Sequence, residues 1–151
     1  MIEIKILKKA TADLLEAVNR LMGQMSLSRT RPKPLTPAIL TLLLAQENVY
    51  FLAAVADYKG KEKIVGALTI YFVRIPSGLT CVAEDLIIDE PYRKWGIGRI
   101  LMERGIELAK AKRSRHISLR TNPKRLEANK LYQALGFKRM ETNFYRINLY
   151  K

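Results

Sequence analysis

Between Val49 and Ile88 the chain is rich in β-branched, aromatic and small apolar residues, and it is interrupted twice, by the polar stretch Asp57 to Glu62 around Gly60 and by Pro76, Ser77 and Gly78. Breakers this frequent exclude a long helix, which leaves strands joined by tight turns as the way to pair the backbone groups of such a run. Val49 to Ala56, Lys63 to Ile75 and Leu79 to Ile88 are therefore expected to form an antiparallel meander, the first two as a hairpin. Directly after the third segment the pattern changes. Asp89 to Tyr92 reads as a turn, Arg93 to Gly98 is RKWGIG, and Gly98 to Lys112 carries Ile100, Leu101, Ile106, Leu108 and Ala109 at helical spacing.

The flanks extend this frame. IEIKIL at the start alternates as a strand, and Thr11 or Asp13 can cap a helix whose apolar positions are Leu14, Leu15, Val18, Leu21, Met22 and Met25. A basic, proline-punctuated loop, Ser28 to Pro34, precedes a short helix near Thr36 with Pro37 in its first turn. Beyond the glycine loop and its helix, the pattern predicts a strand from His116 to Thr121 and a helix from Arg125 to Leu135, ended by Gly136 as a left-handed cap. The segments from Phe137 and from Phe144 read as a closing hairpin. The sum is an α/β fold with a mixed, mostly antiparallel central sheet of six to seven strands, flanked on both faces by about four helices. The chain has no internal repeat, low-complexity tract or long linker, and its 151 residues suit one domain over residues 1–151.

No apolar run reaches the roughly 18 residues that span a bilayer, and MIEIKILKK lacks the uninterrupted apolar core of a signal peptide. A soluble, cytoplasmic protein is expected, with no membrane partner. A single cysteine, Cys81, cannot form an internal disulfide. Lysines and arginines number 27 against 14 acidic residues, a formal charge of +13, which must draw anions: nucleic acid, acidic proteins, anionic membrane surfaces and phosphorylated cofactors all qualify. The clusters Arg29 to Lys33, Lys110 to Arg115 and Lys124 to Arg125 keep a nucleic-acid partner open, although no recognised nucleic-acid motif accompanies them.

The loop Arg93 to Gly98 has a direct chemical use. A helix start leaves about four backbone N–H groups without intrahelical partners and carries partial positive charge, so it suits phosphate oxygens. Gly96 and Gly98 remove side chains that would keep a pyrophosphate away, and Arg93, Lys94 and Arg99 add charge. Two glycines also make an ordinary strand-to-helix turn, so the loop alone supports an anion site and no more. It is neither a P-loop nor a complete Gly-x-Gly-x-x-Gly fingerprint, because position 101 is leucine.

The stretch EDLIIDEPYRKWGIGRILMERGIELAK resembles the signature region of the GNAT acetyltransferase superfamily, whose loop reads Arg/Gln-x-x-Gly-x-Gly/Ala, matched by Arg93, Gly96 and Gly98. A second block, RLEANKLYQALGFKR, is similar to the superfamily's pattern Ala-x-x-Leu/Phe-Tyr-x-x-x-Gly-Phe, matched by Ala128, Leu131, Tyr132, Gly136 and Phe137. The resemblance implies an acetyl-CoA-dependent N-acetyltransferase that needs no metal and acts on a primary amine of a small molecule or a protein, with a homodimer as the family default. It also implies that main-chain groups of Leu86, Ile87 and Ile88 hold the pantetheine arm, and that amides of Arg93, Lys94, Trp95, Gly96, Ile97, Gly98 and Arg99 cradle the pyrophosphate. Tyr132 matches the tyrosine near the CoA sulfur. Glu84 is the first choice of general base. The pair Glu84 and Asp85 resembles the acidic pair of the sugar-phosphate N-acetyltransferases, and strand alternation predicts the two carboxylates on opposite faces of the sheet. Apolar neighbours are expected to desolvate Glu84, and a water relay without a dedicated base is the alternative. The family's asparagine seven residues before the tyrosine is replaced by Arg125, which either meets a CoA phosphate or simply begins the helix; Asn122 and Asn129 are nearby substitutes, neither in register. Trp95 lies on the cofactor or on the surface, His116 is structural, and Cys81 is a small buried residue. In the related enzymes the segment between the first two helices, here Ser28 to Leu35, helps form the acceptor site. A non-catalytic acyl-CoA-binding or regulatory module, and a nucleic-acid-binding basic protein, are the competing readings.

Overall fold

In the computed structural model the described residues are 1–25 and 33–150. They form β1 (Ile2–Leu7), α1 (Ala12–Met22), α2 (Pro37–Ala45), β2 (Val49–Tyr58), β3 (Lys61–Ile75), β4 (Gly78–Ile88), a 3-10 turn (Glu90–Tyr92), α3 (Ile97–Ala111), β5 (Ile117–Ser118) and α4 (Leu126–Ala134). The strands make one mixed sheet in the order β1-β2-β3-β4-β5, antiparallel except for the parallel pairing of β4 with β5.

Local chemistry sets the boundaries. Thr11 Oγ1 accepts from Leu14 N at 3.1 Å and starts α1, and Thr36 Oγ1 does the same for α2, with Pro37 in its first turn. Gly136 takes φ +92 behind α4, and Phe137 N donates to Tyr132 O at 3.0 Å. Alternation along β2 sends Phe51, Ala53 and Val55 to one face, where Leu14, Val18 and Leu21 of α1 and Leu40 and Leu44 of α2 bury them. Leu52 and Ala54 face the other way, under Leu101, Met102 and Ala109 of α3 and Tyr132 of α4. Two helices on each face thus cover the sheet, as the pattern predicts. Among the described residues no helix is long and apolar enough to cross a membrane.

The strand count is lower than expected: five rather than six to seven. The segments from Phe137 and from Phe144 alternate like strands, but residues 138–150 form no ladder with the described chain and are exposed throughout. The strand expected over His116 to Thr121 shortens to Ile117–Ser118, because it diverges from β4 after two paired positions.

Candidate active site

That divergence makes the site. β5 pairs with β4 only at Cys81 and Val82, so from Glu84 onward the outer edge of β4 has no ladder partner, and a cleft opens between the two strands. The other edge of β4 stays on β3, but the register shifts: Thr69 lies opposite Glu84 while Ala67 lies opposite Ile87. Two residues of β4, Asp85 and Leu86, therefore face one of β3, a β-bulge in which Asp85 takes φ +53. The bulge breaks the strand's period of two. Glu84 and Asp85, expected on opposite faces, instead line one cavity together with Leu86, Leu119, Arg120, Arg125, Tyr132 and Met25.

The groups in the cleft differ in their settings. Glu84 is half-buried and accepts from Arg120 Nη2 at 3.2 Å, rather than lying among apolar side chains only. The Asp85 residue is exposed in total area, yet its carboxyl on the cavity wall is raised above the usual Asp range, first by desolvation and then by the charge of Glu84. Tyr132 is buried, with its ring edge-on to Phe137 at 6.0 Å. Burial raises its phenol above the usual 10, against a smaller opposing effect of Arg125, so the hydroxyl is protonated at neutral pH. Cys81 is fully buried and its thiol is pushed up to about 11 by burial, as a core residue's would be. His116 serves the fold through its carbonyl, which accepts from Cys81 N at 3.1 Å.

At the far end of the β4 edge the chain enters the glycine loop. Arg93 Nε donates to Ile88 O at 3.2 Å, Lys94 takes φ +67, and Gly96, the N-cap of α3, takes φ +78 with no side-chain cap. Ile100 N is bonded to Gly96 O at 3.2 Å, so the amides of Ile97, Gly98 and Arg99 come before the first intrahelical bond and keep their donors free of it. A Cβ on Gly96 would meet nothing within 4 Å, so that glycine is required by its backbone angle and not by packing. Gly98 is different. A Cβ there would lie 3.3 Å from Leu131 and 3.9 Å from Leu86, so its missing side chain lets α3, α4 and β4 close together. Ile97 is buried, whereas Arg93, Lys94 and Arg99 are exposed, and Arg99 pairs with Glu103 at 3.4 Å. Trp95 lies on the surface, 67% exposed, its ring 5.6 Å from that of Tyr92. Leu86, Ile87 and Ile88 occupy the β4 edge, with only Ile87 buried.

Asp89, unremarked in the sequence, is the one buried charged residue among those described. Its carboxylate accepts from Arg20 Nη1, from Gln24 Nε2 at 2.8 Å and from Lys63 Nζ at 3.2 Å. Gln24 in turn accepts from Glu90 N at 3.0 Å, and Arg20 also donates to Ile64 O at 2.7 Å. Burial pushes the Asp89 carboxyl up, but these three donors outweigh it and hold it below the usual Asp range. The network ties the end of α1 to the entry of the glycine loop. No local pattern announces it, because its members come from three separate segments of the chain.

Arg125 both begins α4, as its N-cap, and lines the cavity. Asn129 donates through Nδ2 to Asn122 O at 3.1 Å and to Arg125 O at 2.8 Å, which commits both amide hydrogens to the turn before α4. Most of the expected acceptor segment, residues 28–35, lies outside the described residues, as does most of the cluster from Arg29 to Lys33. At its far end Leu35 exchanges two bonds with the Asn19 side chain, at 2.7 and 3.1 Å. A larger concavity of about 760 Å³, lined by Asn48, Phe72, Arg74 and Lys112, is broad and open and holds none of the predicted site residues. The smaller cleft is the better candidate, because titratable groups and a helix start converge there.

A family model described as the acetyltransferase (GNAT) family matches residues 15–137. No curated protein sequence matches the chain significantly. The chain is similar in structure to a transcriptional regulator from Bacillus halodurans C-125, with TM-score 0.79 and 24% identity, covering 98% of this chain and 100% of that one. It is similar also to an aminoglycoside acetyltransferase from an uncultured soil metagenomic sample, solved with trehalose, with TM-score 0.79 and 20% identity over 97% and 96% of the two chains. A third similar structure is that of AAC(6')-Iy with the bisubstrate analogue CoA-S-monomethyl-acetylneamine, with TM-score 0.72 and 20% identity over 98% and 99%. These likenesses establish a shared fold.

Proposed function

Because the chain belongs to the acetyltransferase (GNAT) family, we propose that it acts as one enzyme domain over residues 1–151, moving an acetyl group from acetyl-CoA to a primary amine by direct attack through a tetrahedral intermediate. The observation that carries this reading is the meeting of three elements at one gap. The glycine-started helix α3, the unpaired edge of β4 and the Tyr132 helix are close enough that a Cβ on Gly98 would touch Leu131 and lie 3.9 Å from Leu86. A pyrophosphate seated on the amides from Arg93 to Arg99 would run its pantetheine arm along Leu86, Ile87 and Ile88 into the cleft that holds Tyr132.

The residues then divide the chemistry. Glu84 and Asp85 draw an ammonium into the cleft and take its proton, directly or through water, so that the amine attacks the carbonyl carbon. A β4 amide aimed at the developing oxyanion is typically worth about 3 to 4 kcal/mol. As the carbon–sulfur bond breaks, the protonated Tyr132 hydroxyl donates to the leaving thiolate, the nitrogen of the intermediate gives its second proton to the carboxylates or to water, and the tyrosinate is reprotonated from solvent. General acid and general base each contribute roughly a hundredfold to ten-thousandfold. The raised carboxyl of Asp85 makes it a partner to Glu84 in the base role. Arg125, on the cavity wall, would meet a phosphate or the acceptor, while Asn129 holds its turn.

A thermal-shift titration with acetyl-CoA, CoA and desphospho-CoA tests the donor, followed by a thiol-release screen over amines. At about a hundredfold excess over the dissociation constant, linkage predicts roughly 2.7 kcal/mol of stabilisation. A chain indifferent to acetyl-CoA at saturating concentration sinks the reading.

A further inference from the structure

The helix that starts at the glycine loop ends at a second concentration of positive charge. α3 runs 15 residues from Ile97 to Ala111, so its two ends lie about 22 Å apart at roughly 1.5 Å per residue. Around the far end the chain gathers Lys110, Lys112, Arg113 and Arg115, with Lys8 from the end of β1 and Arg74 from the end of β3. All six are exposed, and none makes an ion pair with a carboxylate among the described residues. A helix C-terminus favours nearby cations, but its dipole amounts to about half a charge. Six exceed that need.

Three of the six are held in place without being neutralised. Lys8 Nζ donates to Gln46 O at 3.2 Å and to Val49 O, and lies 4.7 Å from the centre of the Tyr50 ring. Lys112 Nζ lies 5.1 Å from that same ring and 5.6 Å from that of Phe72. Arg115 Nη1 donates to Ser77 O at 2.6 Å, and its stem packs on Gly78, where a Cβ would come within 2.6 Å of Arg115 Cδ. Ring faces and carbonyls fix a cation and leave it its charge, whereas a carboxylate would cancel it. Beside them opens the concavity of about 760 Å³ lined by Phe72, Arg74, Leu79 and Lys112. Glu47 is the one carboxylate on its wall, and it makes no ion pair among the described residues.

We propose that this concavity binds the phosphate backbone of a single-stranded nucleic acid, at a site separate from the acetyl-CoA cleft. Ordered cations that keep their charge, set around a recess, suit an anion whose charge repeats along a flexible strand. Reading a duplex takes an element that enters a groove, and here the surface recedes. Val73, 39% exposed on the same wall, offers a base face an apolar contact. Protein interfaces are depleted of lysine and of charge at their centres, and a bilayer presents a plane that cations set around a recess do not meet together. The site also takes up charge that acetyl-CoA, with a few phosphates at the other end of α3, leaves over from the +13. The inference goes beyond the acetyltransferase reading and stands on separate measurements.

Fluorescence anisotropy of the full chain with a labelled, mixed-sequence strand of roughly 12 nucleotides, as RNA and as DNA, tests the site. About five phosphate contacts give a salt slope near −3.5, so the affinity should fall roughly a hundredfold between about 50 and 200 mM salt. The double variant Arg74→Glu, Lys112→Glu should weaken binding roughly fiftyfold at the lower salt and flatten the slope. Should that pair disturb folding, Arg74→Gln alone, at an exposed position, should weaken binding about fivefold and reduce the slope by about 0.7. The double variant Lys59→Glu, Lys61→Glu makes the same change in net charge at the β2–β3 hairpin, at the opposite end of the sheet, and should leave the affinity within about twofold. No binding, binding indifferent to salt, or an equal loss in both double variants overturns the proposal. So does displacement of the strand by a polyglutamate of equal charge, since the surface then takes any acidic chain, and so does binding to phosphatidylserine vesicles that the Arg74 and Lys112 changes abolish. Acetyl-CoA in excess should leave the strand bound; a strand that it displaces occupies the glycine loop, which overturns the proposal as well.

Discussion

Two carboxylates four residues apart, Asp85 in the bulge of β4 and Asp89 just beyond its end, are treated in opposite ways. Asp89 is buried and saturated by Arg20, Lys63 and Gln24, and it lies below the ordinary Asp range. Asp85 faces the cleft, makes no ion pair among the described residues, and is raised by desolvation and by Glu84. The comparison separates a neutralised anchor from the cleft proposed as the working site. Around Asp89 charge is neutralised and backbone is tied, which fixes the entry to the glycine loop. Around Asp85 and Tyr132 the protonation equilibria are displaced toward the neutral forms, which proton transfer can use.

If that division holds, changes in the cleft alter turnover without stability, and changes at the anchor do the reverse. The largest effect is expected from Tyr132→Phe. The ring, its burial and its contact with Phe137 persist, and only the donor to the thiolate goes. Turnover should fall about a hundredfold or more, while the thermal shift with acetyl-CoA stays as in the parent. Steady-state kinetics beside the shift assay read both quantities. A variant with unchanged turnover assigns the tyrosine to packing and removes the acid from the cleft.

The glycine loop lies between these regions, and Gly96 can be made to say which it serves. Asparagine tolerates φ near +78 better than other side chains, and a Cβ at this position meets nothing within 4 Å. Gly96→Asn should therefore leave melting of the free protein within a few degrees of the parent. It should nonetheless weaken acetyl-CoA roughly tenfold by placing a side chain where a pyrophosphate must approach the backbone. Unimpaired binding would reduce Gly96 to a turn residue. Gly98 gives no such separation, because a Cβ there lies 3.3 Å from the Leu131 side chain, on the helix that carries Tyr132, and that side chain must shift to admit it.

What the sequence discloses follows the same line. The glycine loop, the helix after it and the tyrosine block are legible because contiguous residues specify them: glycines at fixed spacing, a basic flank, a helical period and the Gly136 cap. The meander is legible because Gly60 and Pro76 to Gly78 punctuate it. The bulge leaves no such mark. Asp85 adopts a positive φ without being glycine, and alternation sends it to the wrong face. The Asp89 network is equally silent, its donors Arg20 and Gln24 lying 69 and 65 residues away. Residues 138–150 alternate like a strand in sequence, yet they form no ladder with the described chain.

The smallest predicted effect tests the anchor, and its sign is fixed by linkage. Asp89 has a folded pKa held below its unfolded value, so it contributes stability that is fully present above the ordinary Asp value of about 3.9 and is lost as pH falls through the lower folded value. Asp85 acts oppositely. Its raised folded pKa contributes stability below the ordinary value, which is lost as pH rises through the folded one. Replacing Asp89 by Asn keeps the shape and the bond to Gln24 but leaves Arg20 and Lys63 without a counter-charge. Because both cations are partly exposed, the cost at neutral pH should be modest, on the order of 1 kcal/mol. Parent and variant should then converge as the pH is lowered from about 4 toward the lower folded value, where the parent's carboxylate is protonated and its advantage vanishes. Urea melts of the two proteins at a series of acidic pH values measure that difference directly. A gap that persists undiminished through the acid range would mean that Asp89 stabilises the loop by packing rather than by charge, and the contrast with Asp85 would lose its basis.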